Sequence, residues 1–298
     1  MKNKTAKGHL AALFTILIWG TTFISTKVLL QDFLPAEILF IRFVIGFLAL
    51  WMVCPRRLKG IRPEQELLFA GAGLCGVCLY YLLENIALTL TMASNVGVII
   101  SVAPFFTAIF SRLFLEEEER LGKAFAFGFM AAMGGIGIIS FSDTGLELNP
   151  TGDLLALLAA GVWAVYSIFS RKISEYGYPA VLTTRKIFFY GILFMVPVMF
   201  FFDIPWKADR FFNPVYCFNL LFLGLGASAL CFVTWNAAVA WLGAVKTSAY
   251  IYLVPVITVA ASALILKEPF TWRIGAGMIL TVAGLFLSEG KGKGGNQG

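Results

Sequence analysis

The sequence predicts an all-α integral membrane fold of ten transmembrane helices, arranged as two inverted five-helix repeats. Three observations carry that prediction. Hydrophobic residues make up 59% of the 298-residue chain and charged residues only 13%, against about 25% charged in a soluble domain. Apolar runs of roughly 20 residues, the length that crosses a hydrocarbon core, recur from end to end. The second half of the chain also repeats the first. Continuous apolarity favours helices over a barrel, whose strands are about 10 residues long and alternate in polarity.

The first run, 9–30, exceeds the roughly 7–15 residues of a signal-peptide core and no clear small-residue cleavage site follows it, so it reads as a retained span. Arg56, Arg57, Lys59 and Arg62 divide the second span, 35–54, from the third, 67–90. The fourth, 93–115, centres on Pro104, and Glu116 to Glu119 with Arg120 lead into the fifth, 122–141. The second set follows as 153–173, 180–202, 215–241, 244–266 and 272–289. With the N terminus inside, 14 Lys and Arg fall in cytoplasmic segments and 4 (Lys207, Arg210, Lys267, Arg273) on the other side. Basic connections stay in the cytoplasm, so both termini are predicted cytoplasmic, in a multi-pass protein of the cell membrane. The same clustering explains the net charge of +6 by topology and excludes nucleic acid as a partner.

The repeat is legible residue by residue. At an offset of 144, Gly8 falls on Gly152, Trp19 on Trp163 and Lys27 on Arg171. At 151, Leu74 falls on Leu225, Asn85 on Asn236, Ala93 on Ala244, Pro104 on Pro255 and Glu117 on Glu268. The predicted units are 1–145 and 146–290, with 291–298 as a disordered tail. Five spans per unit oblige the second copy to enter the bilayer from the opposite side. Inverted repeats are a known route to alternating access, with the site at the repeat interface near the midplane.

Candidate site residues follow from helical spacing. Trp19, Thr22, Phe23 and Thr26 share one face, and Trp163, Tyr166, Ser167 and Ser170 form the equivalent stripe. These stripes suit a cavity wall or, equally, interhelical packing through hydroxyls. Tyr80, Tyr81, Glu84 and Asn85 make the most polar turn of the third span; Asn236 repeats Asn85, while Trp235 stands where Glu84 would be. Pro104 and Pro255 each lack an N–H and would kink their spans, freeing the carbonyls of Ile100 and Ile251. Tyr250 lies near the second kink. The expected substrate-binding set is therefore Trp19, Thr22, Tyr81, Asn85, Trp163, Tyr166, Asn236 and Tyr250. Lys27, Arg42 and Glu84 all fall in the outer third, where they could pair to close an outer gate, with Arg171 and Arg185 in the matching inner region; snorkelling and permanent bridging are the alternatives.

Other motifs have plainer readings. Gly71 to Gly76 fits G-x-G-x-x-G, but that fingerprint needs a βαβ context, and glycines within a span let helices approach. Gly128 and Gly135 with Gly277 and Gly284 read the same way. Cys75 and Cys78 lie inside a span with no second pair, so they read as small packing residues. His9 is the single histidine, which leaves no histidine metal site. No nucleophile, base and orienter stand at usable spacing for an enzyme.

Trp19-Gly20-Thr21-Thr22-Phe23 with Lys27, Arg42-Phe43, and the stretch Ala93 to Glu117, with their counterparts Trp163 to Arg171 and Ala244 to Glu268, resemble the drug/metabolite transporter superfamily, specifically its ten-helix EamA type, over essentially the whole chain. The resemblance implies a monomeric carrier, often an exporter of amino acids or other small metabolites, without cofactor or bound nucleotide. The expected function is a secondary transporter, an exporter working by alternating access on a small-molecule substrate. A carrier or flippase of amphiphilic or lipid-linked molecules, and a non-transporting membrane assembly protein, are the alternatives.

Overall fold

The computed structural model describes residues 2–91, 93–115, 123–140, 149–202, 208–265 and 271–289. Glu116 to Glu119, Arg120, Lys207, Lys267, Glu268, the boundary between residues 145 and 146 and the tail 291–298 lie outside the described residues. Within them the chain is helical, with no strand. The first half comprises α1 (Lys2–Leu29), α2 (Pro35–Val53), α3 (Pro63–Leu90), α4 (Ala93–Ile100), α5 (Ala103–Phe114) and α6 (Lys123–Ser140). The second comprises α7 (Pro150–Ser174), α8 (Ala180–Phe201), α9 (Pro214–Leu242), α10 (Ala244–Ala249), α11 (Leu253–Ile265) and α12 (Trp272–Glu289). Counting α4 with α5 and α10 with α11, eight helices among the described residues are long and apolar enough to cross a membrane. The apolar parts of α6 and α12, Lys123–Ile138 and Gly275–Ser288, are shorter.

Capping chemistry sets several ends beyond the apolar runs. α3 starts four residues before the predicted span because Pro63 is pre-set for the first turn and the Arg62 N–H donates to Gln65 Oε1 at 3.0 Å. Asn149 Oδ1 accepts from the Gly152 N–H, and Asn213 Oδ1 from the Val215 N–H, fixing the starts of α7 and α9. The two proline spans do not run through. Each is cut: Ser101 and Val102 form a turn between α4 and α5, and a 3-10 turn, Tyr250–Tyr252, separates α10 from α11. A ring without an N–H that also clashes one turn back ends a helix here instead of bending it.

α3 and α9 each contain a π-helical stretch, Leu74–Leu79 and Phe222–Leu230. At the offset of 151 their last residues correspond. Such bulges loosen the regular ladder and leave carbonyls for other donors. One is used: Trp19 Nε1 donates to the Ala227 carbonyl at 2.9 Å.

Packing contacts come in pairs that exchange of the halves interconverts. α1 packs on α9, as α7 does on α3; α11 packs on α1, as α5 does on α7; α2 meets α9, as α8 meets α3. A Cβ added to Gly46 would lie 3.1 Å from the Gly224 carbonyl, a tight contact, and one added to Gly73 would lie 2.7 Å from the Gly191 nitrogen, where only hydrogen fits. α6 and α12 meet chiefly each other, backbone to backbone: a Cβ on Gly128 would stand 2.6 Å from the Gly284 carbonyl.

Candidate functional site

The breaks before the two prolines and the stripes of α1 and α7 converge at the centre of the bundle. There a cavity is lined by Trp19, Thr22 and Phe23 of α1, Tyr80, Tyr81 and Glu84 of α3, and Ile100 at the end of α4. The second half closes it with Trp163 of α7, Ile251 of the 3-10 turn and Val254 of α11. Its volume is about 30 Å³ at the centres of water-sized spheres, room for about two waters. In this conformation the centre holds only a headgroup-sized space.

Rings make most of the wall. Trp19 meets Trp163 edge to face at 5.1 Å between centroids, Tyr80 lies 4.8 Å from Trp163, and Tyr80 and Tyr81 are 4.7 Å apart. Behind them Phe232 touches six rings: Trp19, Phe43, Tyr81, Trp163, Tyr166 and Phe188. Nothing in the periodicity of α9 singles out Phe232, because its neighbours come from five other helices. Offset and edge-on geometries of this kind fix ring orientation beyond what area burial gives. The one charged lining group is Glu84, only 2% exposed. It interacts with Tyr80 and with the charge of Arg42.

Four residues of the expected binding set, Trp19, Thr22, Tyr81 and Trp163, lie on this cavity, together with Phe23, Tyr80, Ile100, Ile251 and Val254, which that set did not include. The other four do not line it. Tyr166 and Asn236 belong to a buried network beside it: the Tyr166 hydroxyl and Ser170 Oγ donate to Asn236 Oδ1 at 2.7 and 2.8 Å, and Asn236 Nδ2 donates to Thr184 Oγ1 at 3.0 Å, tying α7, α8 and α9. Asn85 Nδ2 donates to the Pro35 carbonyl at 3.0 Å, while its Oδ1 has no partner. The Tyr250 hydroxyl meets His9 Nδ1 at 2.7 Å, near the start of α1.

The expected meeting of Lys27, Arg42 and Glu84 takes a different form. Lys27 Nζ donates to the carbonyls of Leu88 and Thr91 at 2.8 and 3.2 Å. The last carbonyls of α3 lack helical partners and carry the negative end of the dipole, so they draw the ammonium. Arg42, fully buried, gives Nε to Ser228 Oγ at 3.0 Å and lies 4.3 Å over the Tyr81 ring; its terminal nitrogens have no hydrogen-bond partner. Among the ion pairs of the described residues none joins these three. Arg185 donates to the carbonyls of Cys54 and Arg56 just beyond α2, and Arg171 lies 3.8 Å from Glu175 one turn on.

Two clasps that sequence spacing did not reveal hold the ends. Beyond α1, Arg210 donates from Nη1 to the Asp32 carbonyl and to Glu37 Oε2 at 2.5 and 3.1 Å, and from Nη2 to Glu37 Oε1 at 2.7 Å, with Phe33 beneath it. At the opposite end Lys186 Nζ and the Tyr190 hydroxyl donate to Glu66 at 2.7 and 2.5 Å, and the Tyr178 hydroxyl donates to Gln65 at 3.1 Å. Partners lie more than 100 residues apart, so no local pattern could have paired them. Among the described residues no group of His, Cys, Asp or Glu is gathered as a metal site, and the glycines at 71–76 sit against Phe169, Gly191 and Tyr166.

Comparison with known proteins adds the following. The model of the EamA-like transporter family matches residues 6–141 and 150–289. A protein of Archaeoglobus fulgidus named as an uncharacterized transporter is 28% identical over 96% of this chain and 98% of its own length. A Salmonella typhimurium protein named "Probable amino-acid metabolite efflux pump" is 25% identical over 95% of this chain and 94% of its own. One solved crystal structure superposes with a TM-score of 0.76 at 19% identity, covering 95% of this chain and 97% of the other, a likeness of fold.

Proposed function

The chain belongs to the EamA-like transporter family, and from that premise we propose that it is a secondary carrier exporting small metabolites such as amino acids across the cytoplasmic membrane by alternating access. One observation carries the reading: a central cavity whose wall is drawn from both halves and mixes rings, hydroxyls and one carboxylate. That is where a carrier built on repeats places its cargo. The reciprocal contacts, α1 on α9 with α7 on α3, and the matched π stretches support ten spans in two inverted five-helix repeats. The 14 to 4 distribution of basic residues supports cytoplasmic termini. The name of the Salmonella relative favours amino acids as the cargo class. A single chain holds both walls, so the monomer suffices.

Counterflow in liposomes tests this. Preloaded amino acids should exchange with labelled external ones, and a panel of sugars, nucleosides, phosphate esters and organic cations should define the class. Exchange of lipid-linked cations alone would replace this reading with the flippase alternative. No exchange by folded protein for any cargo would leave an assembly protein.

A further inference from the structure

The cavity lining contains one formal charge, and it is negative. Lys27, the nearest basic residue of α1, spends its ammonium on the end of α3. Arg42 stays behind the Tyr81 ring and does not line the space. A carboxylate enclosed at membrane depth normally marks a pathway or a bound partner. Here it stands among Trp19, Trp163, Tyr80 and Tyr81, rings in mutual contact at 4.7 to 5.1 Å. Aromatic faces present negative potential and attract ammonium groups, most strongly where water is excluded.

We propose that this cavity recognises the ammonium end of its cargo, with the Glu84 carboxylate as counter-ion and the four rings as walls, and that the cargo class is therefore defined by a primary amine and not by an acid group. The inference deepens the carrier reading and rests on the cavity being the cargo site. The two-water volume fits a headgroup; the remainder of the molecule is accommodated when one end opens. Arg42 acts from behind Tyr81 as the fixed positive charge that balances Glu84 while the cavity is empty.

Three probes that share a phenyl ring separate the options: phenethylamine, its N-acetyl derivative and 3-phenylpropionate. Thermal unfolding of the purified full chain in detergent should shift upward with phenethylamine and stay unchanged with the other two. Glu84→Gln, nearly the same shape without charge, should raise the half-saturating amine concentration by about tenfold or more, the loss of one charge-assisted contact. Glu84→Asp should recover part of it, which separates charge from folding. Equal stabilisation by the acetylated or acidic probe, an unaltered response in Glu84→Gln, or no response to phenethylamine in the wild type would each overturn the proposal. Counterflow of the same amine keeps the two readings apart. Binding without exchange retains the ammonium site and removes the carrier, whereas exchange of acids and acetylated compounds without amine binding does the reverse.

Discussion

The clasp at Glu37 and the clasp at Glu66 fasten opposite ends of the molecule, and they differ in access to water. Arg210 and Glu37 are 7% and 0% exposed at the side chain, whereas Lys186 and Glu66 are 21% and 37% exposed. When the Glu66 clasp parts, both charges are rehydrated at once. Parting the Glu37 clasp strands a carboxylate without solvent. The repeat thus supplies one backbone plan twice, while side chains make one end dearer to open than the other. In the proposed orientation the cheaper end faces the cytoplasm, where an exporter loads.

The largest effect should come from Arg210→Met. Removing one partner of a buried pair costs about 3–5 kcal/mol, whereas Lys186→Met should cost at most about 1 kcal/mol. Denaturant or thermal unfolding in detergent measures both, and equal losses would break the comparison. Adding Glu37→Leu to Arg210→Met should restore most of the stability, because it removes the stranded charge.

A smaller difference should separate the two asparagines that the repeat places at equivalent positions. Asn236→Leu takes partners from Tyr166, Ser170 and Thr184 and should cost about 2 kcal/mol. Asn85→Leu removes one bond to Pro35 and should cost less than about 1 kcal/mol, in line with single interhelical bonds in membranes. Reversed order in the same unfolding assay would show that the network around Asn236 is slack.

The tryptophans sharpen the comparison most finely. Trp19 has its N–H bonded to Ala227, while the N–H of Trp163 is buried without a partner. Trp19→Phe should therefore cost about 1 kcal/mol through the lost bond, and Trp163→Phe close to nothing from that source. For Trp163→Ala the expectation concerns activity: liposome exchange should fall further than the yield of folded protein. A parallel fall would make Trp163 a packing residue.

Much of this was legible beforehand because the relevant signals are local or periodic. Apolar length located the helices, the offsets paired Trp19 with Trp163, and four of the eight expected binding residues line the cavity. The misses share a physical cause. Whether Tyr166 faces a void or Asn236 depends on how far α9 approaches α7, and one helix's own pattern does not contain that distance. Ile100 and Ile251 reach the wall because Pro104 and Pro255 end their helices; a kink alone had been expected. For Lys27 the sequence leaves pairing with Glu84 and snorkelling both open, and the carbonyls ending α3 take its ammonium instead. The π stretches leave no composition signature at all, yet one of them supplies the acceptor for Trp19.

Arg210 follows Glu37 by 173 residues, and that interval has a meaning in time. At about 5–20 residues per second, the ribosome delivers Arg210 roughly 9–35 s after Glu37. Until then Glu37 has the N–H of Leu34 for company and no guanidinium. The helices face the same wait, since α1 docks on α9 and α3 on α7. The first half thus enters the bilayer with its main docking surfaces unfilled, and closure of the buried clasp coincides with arrival of the strand of sequence that completes them. A chain cut between residues 141 and 149 should assemble only when both pieces are made together.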